Sequence, residues 1–294
     1  MRSSAAVDGV ALGALETGGT TCVCAVGTGP DDIRAQDRFP TTGPDEVIER
    51  ATRFFRQAGP IAALGIGAFG PVDLHASSPT WGHVTTTPKP GWSGTPLAPA
   101  LRDALGVPVA FETDVTASAL GEQRWGAGQG ADPLVYVTIG TGIGAGVLVD
   151  GRPVHGLLHP ELGHLRIPHD RARDPFDGVC PYHGDCLEGL ASGAALGARP
   201  GPDPAGLPLD HPVWRLEAEY VALGLVSVIA VLSPQRIVVG GGVGMQPGLL
   251  PRVTAEVDRL LAGYLAAPPL VAPALGGRQG VLGALAMASG AAAA

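Results

Sequence analysis

One local pattern occurs twice in the sequence. Residues 12–26, LGALETGGTTCVCAV, and residues 134–151, LVYVTIGTGIGAGVLVDG, each contain an apolar segment, a turn rich in glycine and threonine, and a second apolar segment. Each copy is typical of two β-strands joined by a tight turn. The repetition indicates two similar lobes and predicts an α/β fold. We expect a first lobe over 1–113, a second over 114–280, and a terminal helix over 281–294 that is a candidate to complete the first lobe.

Further predicted helices and strands alternate between and after these copies. Val47, Ala51 and Phe55 recur at helical spacing before Gly59, which predicts a helix over 45–58. The segment 77–96 is rich in proline, glycine and threonine and is predicted to be irregular. The remaining predictions are strands over 61–67, 107–111 and 236–239, and helices over 117–125 and 213–232.

The composition limits the classes of partner. The chain of 294 residues is 45% apolar and 16% charged, with a formal net charge of -8, which argues against nucleic acid or an anionic membrane as main partner. Its first residues lack the apolar core of a signal peptide, and the longest apolar run, 221–232, is shorter than the roughly 20 residues that span a bilayer. We therefore expect a cytoplasmic protein with reduced thiols, in which Cys22 and Cys24 are buried apolar residues of a strand.

The glycine turns suit anion binding, because their backbone N–H groups can approach a phosphate without hindrance from a side chain. Two such turns facing each other would suit a nucleoside triphosphate, although glycine turns also occur in ordinary hairpins. A third cluster, Gly240–Gly244, follows a predicted strand, where nucleotide contacts are frequent. No Gly-x-x-x-x-Gly-Lys-Ser/Thr motif is present and no Gly-x-Gly-x-x-Gly opens the chain, which argues against a P-loop enzyme and a Rossmann dehydrogenase.

Asp114 follows a predicted strand and precedes a predicted helix. Aspartate is a favoured helix N-cap, so a structural role explains this position. A carboxylate at the end of a strand beside a phosphate site is also where a general base belongs. The local pattern leaves both interpretations open.

A second group of reactive side chains lies further along the chain. The segments HPELGH and CPYHGDC supply two imidazoles and two thiols, which suit a closed tetrahedral Zn²⁺ site. A pair of structural thiols with surface histidines is the alternative. The predicted ligands are His164, Cys180, His183 and Cys186. Such a metal would also fix Glu161 and Glu188, which lie close to the ligands in the sequence.

Taken together, these motifs resemble the ROK family (repressor, open reading frame, kinase), and within it the fructokinase-like branch. The resemblance runs over nearly the whole chain and rests above all on HPELGH followed by CPYHGDCLEGLASG. Other segments that carry it are ETGGTT, GIGAFGPVD, TTTPKPGW, ETDVTASALGE, TIGTGIGAGVLVDG and VVGGGV.

The resemblance implies a two-lobed actin-like (ribonuclease H-like) ATPase fold with ATP and a sugar in the cleft. It implies that Asp114 takes the proton from a hexose hydroxyl as that hydroxyl attacks the γ-phosphate of ATP, with Mg²⁺ neutralising charge. It implies that hexose hydroxyls are bound by Thr113, Glu161, His164 and Glu188. It assigns ATP contacts to Gly18, Gly19, Thr20, Gly140, Thr141, Gly142, Gly144, Gly240, Gly241 and Gly242. The family's habit further suggests a homodimer.

The chain departs from the family pattern at two positions. Thr21 stands where the first turn usually ends in lysine, and this missing charge is expected to weaken affinity for the phosphoryl donor. Thr113 stands where many glucokinase-like relatives have asparagine, which favours the fructokinase-like branch without settling which sugar is preferred. Lys89, the only lysine in the sequence, is either a solvated loop residue or an active-site group.

The resemblance leaves three interpretations of function. A fructokinase leads, and a glucokinase or mannokinase is the first alternative. A non-catalytic sugar sensor or transcriptional regulator is the second. The ETGG motif begins at residue 16, so we expect no helix-turn-helix domain before it. His164 is assigned to zinc, although its neighbour Glu161 is assigned to the sugar.

Overall fold

The computed structural model describes residues 10–200, 206–208 and 210–293. These residues form two compact units. Unit 1 contains 10–129, 155–159 and 275–293, and unit 2 contains the rest. Parts of the predicted lobes and of the predicted terminal helix lie outside the described residues, namely 1–9, 201–205, 209 and 294.

The strands and helices are numbered in chain order. The strands are β1 (Leu12–Thr17), β2 (Thr21–Gly29), β3 (Asp32–Pro40), β4 (Leu64–Ala68), β5 (Val109–Thr113), β6 (Leu134–Ile139), β7 (Ile143–Val149), β8 (Arg152–Pro153), β9 (Arg236–Gly240) and β10 (Leu270–Val271). The helices are α1 (Pro44–Ala58), α2 (Leu97–Leu105), α3 (Asp114–Trp125), α4 (Leu187–Ala191), α5 (Gly193–Ala198), α6 (Pro212–Leu232), α7 (Leu249–Leu261) and α8 (Gln279–Ala292), and a 3₁₀ turn lies at Leu162–His164.

Most predicted elements are present, with small changes at their ends. Helix α1 begins with a proline in its first turn, buries Val47, Ala51 and Phe55, and ends at Gly59, where φ is +101°. The predicted strand over 107–111 is displaced to β5, and the helix predicted to begin at Ala117 already begins at Asp114. Helix α2 has no counterpart among the predictions.

Unit 1 is built on a mixed five-stranded sheet in the order β3-β2-β1-β4-β5. The central strands β1, β4 and β5 are parallel, whereas β2 and β3 add an antiparallel edge. Alternate residues of the strands face opposite sides, so Leu15, Cys22 and Cys24 pack with α1 and α2, and Ala14 and Ala25 pack with α8. The prediction that both cysteines are buried apolar residues is confirmed.

Unit 2 is built on a second mixed sheet of five strands in the order β10-β9-β6-β7-β8. Its core combines this sheet with α4, α6 and α7. Gly224 of α6 lets Leu187 of α4 approach closely, because a Cβ at this glycine would lie only 2.5 Å from a Leu187 methyl carbon. Within the described residues, no helix combines the length and apolarity needed to cross a membrane.

Helix α3 packs against α8 at unusually short range. A Cβ at Gly283 of α8 would overlap the backbone carbonyl of Ala117, and a Cβ at Gly121 of α3 would overlap that of Gln279. This contact explains the displaced lobe boundary: α3 was predicted to open the second lobe, but its packing partner is α8, so it belongs to unit 1.

Substitution of Gly283 by alanine is expected to destabilise unit 1. The added methyl group must push α8 away from α3, and overpacking of this kind costs about 3 kcal/mol of unfolding free energy. The matched control is Gly290→Ala in the same helix, because a Cβ there meets nothing within 4 Å. Since alanine favours helix over glycine, G290A should leave the stability unchanged or raise it by up to about 1 kcal/mol. Equilibrium denaturation by urea measures both effects, and equal stabilities of the two variants would contradict this account.

Candidate active site and metal site

Three parallel strands of unit 1 end side by side. Thr17, Ala68 and Thr113 lie opposite one another in register, and the N–H of Phe69 donates to the carbonyl of Thr17 (2.8 Å). Ligands of open α/β sheets bind beyond the carboxyl ends of such strands. The first glycine turn follows β1 and Asp114 follows β5, so the fold brings these two predicted site features to one edge of one sheet.

Thr41 holds the first glycine turn from one side. Its Oγ1 donates to the carbonyl of Gly18 (2.7 Å), and its N–H donates to the carbonyl of Thr20 (3.0 Å). The N–H groups of Gly19 and Thr20 have no acceptor within the described residues, and both residues are exposed. Two free donors on an exposed turn can bind an anion.

The second glycine turn, between β6 and β7, is held by the first residues of α5. The N–H of Gly193 donates to the carbonyl of Gly140 (2.6 Å), and that of Ala194 donates to the carbonyl of Thr141 (3.2 Å). Because a trans peptide directs its C=O and N–H to opposite sides, the N–H groups that follow these carbonyls point away from α5. The carbonyls of Gly140 and Thr141 are therefore bound by α5, and the N–H groups of Thr141 and Gly142 face the other side of the turn.

The third glycine cluster lies directly against the second turn. The N–H groups of Val243 and Gly244 both donate to the carbonyl of Ile139 (2.9 and 3.1 Å), the last residue before the second turn. Gly241 has φ +84°, and a Cβ there would overlap the backbone of Ile139. Unit 2 therefore unites the predicted ATP-contact residues of Gly140–Gly144 and Gly240–Gly242.

The N-cap of α3 is Thr113, so the interpretation of Asp114 as a capping residue is wrong. The hydroxyl of Thr113 accepts the N–H of Thr116 (3.1 Å) and donates to the hydroxyl of Thr116 (2.7 Å). The Thr113 side chain is buried and its hydroxyl proton is donated to Thr116, so this hydroxyl has no proton left to donate to a hexose. Asp114 is instead the first helical residue, and its carboxylate accepts the N–H of Val115 (2.9 Å).

Asp114 shares its surroundings with a second acid, Glu16, the last residue but one of β1. Burial raises the pKa of Asp114 to about 6. Burial, and then the nearby charge of Asp114, raise the pKa of Glu16 to about 7, and a backbone hydrogen bond from Val281 opposes this rise. Glu16 was not among the predicted site residues, although an acid just before a glycine turn was the available signal.

Four side chains of unit 2 converge as expected for a metal site. The ligand atoms of His164, Cys180, His183 and Cys186 all lie within 4.8 Å of one another. Cys180 Sγ lies 3.6 Å from His164 Nδ1 and 3.7 Å from His183 Nδ1, and Cys186 Sγ lies 3.7 Å from His164 Nδ1. A thiolate and an imidazole bound tetrahedrally to one Zn²⁺ are separated by roughly 3.6 Å. The spacing and the donor set therefore fit zinc.

The orientation of His164 removes the conflict between its two predicted roles. Its Nδ1 faces both thiols, so Nε2, on the other side of the ring, remains for a second partner. Glu161 precedes the same 3₁₀ turn, and the N–H of His164 donates to its carbonyl (3.1 Å). Glu188 lies in the first turn of α4, and its Oε2 accepts the N–H of Ile143 (2.9 Å). Glu188 thus connects the metal-site segment to the second glycine turn.

A buried histidine outside the ligand set supports the same segment. His169 Nδ1 lies 3.2 Å from a carboxylate oxygen of Asp185, and its Nε2 lies 2.9 Å from the carbonyl of Asp174. Arg166 and Arg171 also pair with Asp185 (2.8 and 2.9 Å). These contacts fix the residue that precedes Cys186. These contacts were not predicted, because none of the three partners of Asp185 lies close to it in the chain.

Comparison with known proteins then identifies the family. The family model described as the ROK family matches residues 12–291. The chain belongs to the ROK family. This membership and the two units, each on a mixed five-stranded sheet, confirm the predicted actin-like α/β fold.

Several relatives of this ROK protein have names that state an activity. It is 44% identical over 285 residues to a putative fructokinase of Bacillus subtilis, covering 94% of this chain and 95% of that one. It is 42% identical over 291 residues to a fructokinase of Zymomonas mobilis, with the same coverage. A crystal structure of a ROK glucokinase of Streptomyces griseus in complex with glucose and AMPPNP superposes with a TM-score of 0.76 at 26% identity, covering 95% of this chain and 99% of that one.

The two acids of unit 1 are expected to titrate as a coupled pair. In the unliganded protein, carboxyl ¹³C NMR should give pKa values near 6 for Asp114 and near 7 for Glu16. In the D114N variant the pKa of Glu16 should fall, because the negative charge of Asp114 that helps to raise it is removed. Burial should still keep the pKa of Glu16 above its ordinary value.

The exposed Asp31 provides the matched control, since D31N should leave the Glu16 pKa unchanged. An identical Glu16 pKa in D114N and in the unaltered protein would contradict the coupling. Both folded-state values lie above the ordinary ones, so the contribution of the pair to stability is fully present below about pH 4 and is lost as the pH rises to about 7.

Proposed function

We propose that this protein is an ATP-dependent fructokinase that transfers the γ-phosphate of ATP to a hydroxyl of fructose. The observation that carries the proposal is the Asp114 carboxylate, which lies at the same sheet edge as the first glycine turn. Thr113 performs the capping of α3, so the carboxylate of Asp114 is left to accept a proton. The names of the relatives at 42% and 44% identity support fructose as the acceptor.

Asp114 acts as the general base of the proposed reaction. With a pKa of about 6, Asp114 is mostly ionised at neutral pH and can accept a proton. Because this pKa is close to neutral pH, the carboxyl group can also hold the proton in the transition state. The hydroxyl oxygen attacks the γ-phosphorus as its proton passes to Asp114, and the bond to the β,γ-bridging oxygen breaks. ADP leaves with the electron pair of that bond.

The glycine turns account for the binding of MgATP, which we treat as the second substrate. The free N–H groups of Gly19 and Thr20 are suited to phosphate oxygens, as are the outward-facing N–H groups of Thr141 and Gly142. The cluster Gly240–Gly242, packed against Ile139, is proposed to lie on the nucleoside side. Mg²⁺ carried by the nucleotide supplies charge neutralisation at the transferred phosphoryl group.

Glu161, Glu188 and His164 are proposed to bind the hexose. Carboxylates accept hydrogen bonds from vicinal hydroxyls, and Glu188 has a second oxygen beyond the one that accepts the Ile143 N–H. His164 contributes Nε2, because its Nδ1 faces the thiols. Thr113 acts indirectly, by fixing the first turn of α3 and with it Asp114.

We also propose a structural Zn²⁺ on His164, Cys180, His183 and Cys186. Four protein ligands leave no open coordination position, so a bound zinc supplies rigidity rather than Lewis-acid chemistry. The ligands come from two separate segments, which the metal would tie together and thereby orient Glu161 and Glu188. A homodimer is proposed from family habit alone.

A glucokinase is the second candidate, favoured by the structural similarity to the Streptomyces griseus enzyme. A non-catalytic sensor is disfavoured, because a sensor has no need for a carboxyl group with a raised pKa at the end of β5.

The Asp114→Asn variant distinguishes a kinase from a binding protein. Loss of a general base should lower kcat by about 10³, whereas the fructose Kd should change by less than about threefold. A coupled ADP-release assay with fructose, glucose and mannose measures turnover, and calorimetry measures sugar binding. D31N removes the same charge at an exposed position and should retain full turnover. Absence of phosphoryl transfer to all three sugars by the unaltered protein would refute the proposed function.

The zinc proposal predicts one Zn²⁺ per chain by elemental analysis of the purified protein. Cys186→Ala should lose the metal, and fructose affinity should fall with it because Glu161 and Glu188 are no longer held. Cys22→Ala removes a buried thiol outside the cluster and should retain one Zn²⁺ per chain. Full sugar affinity in chelator-treated, metal-free protein would argue against a role for the metal in shaping the sugar site.

A further inference from the structure

The first glycine turn has no cationic residue of its own. Residues 18–21 are two glycines and two threonines. The nearest acids at this sheet edge, Glu16 and Asp114, add negative charge as they ionise. These negative charges oppose the binding of a polyphosphate at the turn, and Arg38, which acts on Glu16, and the Mg²⁺ of the nucleotide offset them in part.

Lys89 reaches this turn from a distant part of the chain. Its Nζ donates to the carbonyl of Gly19 at 2.6 Å, across a sequence separation of 70 residues. It is the only lysine in the sequence. The Nζ also lies 5.7 Å from the centre of the Phe69 ring, within the range of a cation–π contact. Lys89 is partly exposed, and these contacts place its ammonium group at the first turn.

The backbone that carries Lys89 is anchored beside the first turn by neighbouring residues. Trp92 is fully buried, its N–H donates to the carbonyl of Lys89 (3.3 Å), and its Nε1 donates to the carbonyl of Thr42 (2.8 Å). The Phe69 ring packs edge-on against Trp92 with ring centres 4.9 Å apart. Thr42 adjoins Thr41, which holds the turn itself, so the turn and the Lys89 segment share one support.

The direction of the Lys89 contact determines what it does. In the trans peptide between Gly19 and Thr20, the carbonyl faces Lys89 and the N–H points to the opposite side. A charged donor on the carbonyl polarises the peptide and makes its N–H a stronger donor. That N–H, on Thr20, is one of the two free donors of the turn.

We propose that Lys89 supplies the positive charge of the first phosphate-binding turn and is the residue that determines affinity for the phosphoryl donor. Lys89 is a positioning residue, because it acts through the Gly19–Thr20 peptide. Lys89 supplies the positive charge that a lysine at position 21 would supply. The weaker affinity for the phosphoryl donor that is expected from Thr21 is therefore offset. This inference rests on the proposed kinase function.

Steady-state kinetics with fructose and MgATP test the proposal in five proteins: the unaltered chain, K89M, K89R, T21K and the double variant K89M/T21K. K89M should raise the KM for ATP about tenfold through loss of a charged contact, while the KM for fructose changes by less than about twofold. K89R should retain most of the ATP affinity, and the lysine at position 21 should return the KM for ATP of the double variant to within about threefold of the unaltered value.

Arg53→Met is the matched control, because it removes one exposed positive charge from α1 of the same unit. Its KM for ATP should change by less than about twofold, which separates a local role of Lys89 from an effect of net charge. Thermal unfolding of each variant shows whether the fold is retained.

Three outcomes would overturn the proposal. An unchanged KM for ATP in K89M removes the role of Lys89 while leaving the kinase function intact. Equal increases in the KM for ATP and fructose indicate a general structural effect. A KM for ATP in the double variant as high as in K89M shows that charge at the turn does not explain the effect, whereas T21K alone should change the KM by less than about threefold because Lys89 already supplies the charge. K89Q replaces K89M where K89M does not fold, and an unchanged KM for ATP there overturns the proposal equally. Absence of turnover in the unaltered protein is a different failure, which refutes the kinase function itself.

Discussion

The register of three parallel strands is the constraint on which the candidate site of unit 1 depends. Thr17, Ala68 and Thr113 end β1, β4 and β5 at one level, so whatever follows each strand emerges at the same edge. The first glycine turn follows the first strand, Phe69 follows the second, and Asp114 follows the third. A slip of one residue in either pairing would turn every side chain of a strand to the other face. It would also move Asp114 away from the turn.

In unit 2, shared hydrogen-bond partners bring the predicted site segments together. The carbonyl of Ile139 accepts the N–H groups of the third glycine cluster, and the residue after it opens the second glycine turn. Glu188 then joins this turn to the segment that carries Cys186. Each predicted binding segment of unit 2 is therefore held in place by hydrogen bonds to a neighbouring binding segment. Substitutions there are expected to affect several properties together rather than one at a time.

The sequence predicted the local features well because their causes are local. The spacing of Val47, Ala51 and Phe55 identifies α1, and the glycine turns follow from composition. Asp114 was harder, because aspartate and threonine are both good caps and only the backbone shows that Thr113 takes that role. The four clustered histidines and cysteines were identified from residue type, although only the structure shows that Nδ1 of His164 faces both thiols.

The features that the sequence could not show are contacts between distant segments. Lys89 and Gly19 are brought together by the burial of Trp92, which the irregular composition of 77–96 gave no means to foresee. The partner of α3 is likewise a helix far along the chain, so the lobe boundary was placed too early.

The close contact of α3 with α8 also affects the order of folding during synthesis. The strands and first helices of unit 1 leave the ribosome early, but α8, which covers one face of their sheet, is made only after the whole of unit 2. Until then, Ala14, Ala25 and the face of α3 that contains Gly121 have no apolar cover. Unit 2 has its described elements in one nearly continuous stretch and is able to fold first. The nascent chain therefore carries an unfinished first unit, and its exposed face is the part that a chaperone would need to protect.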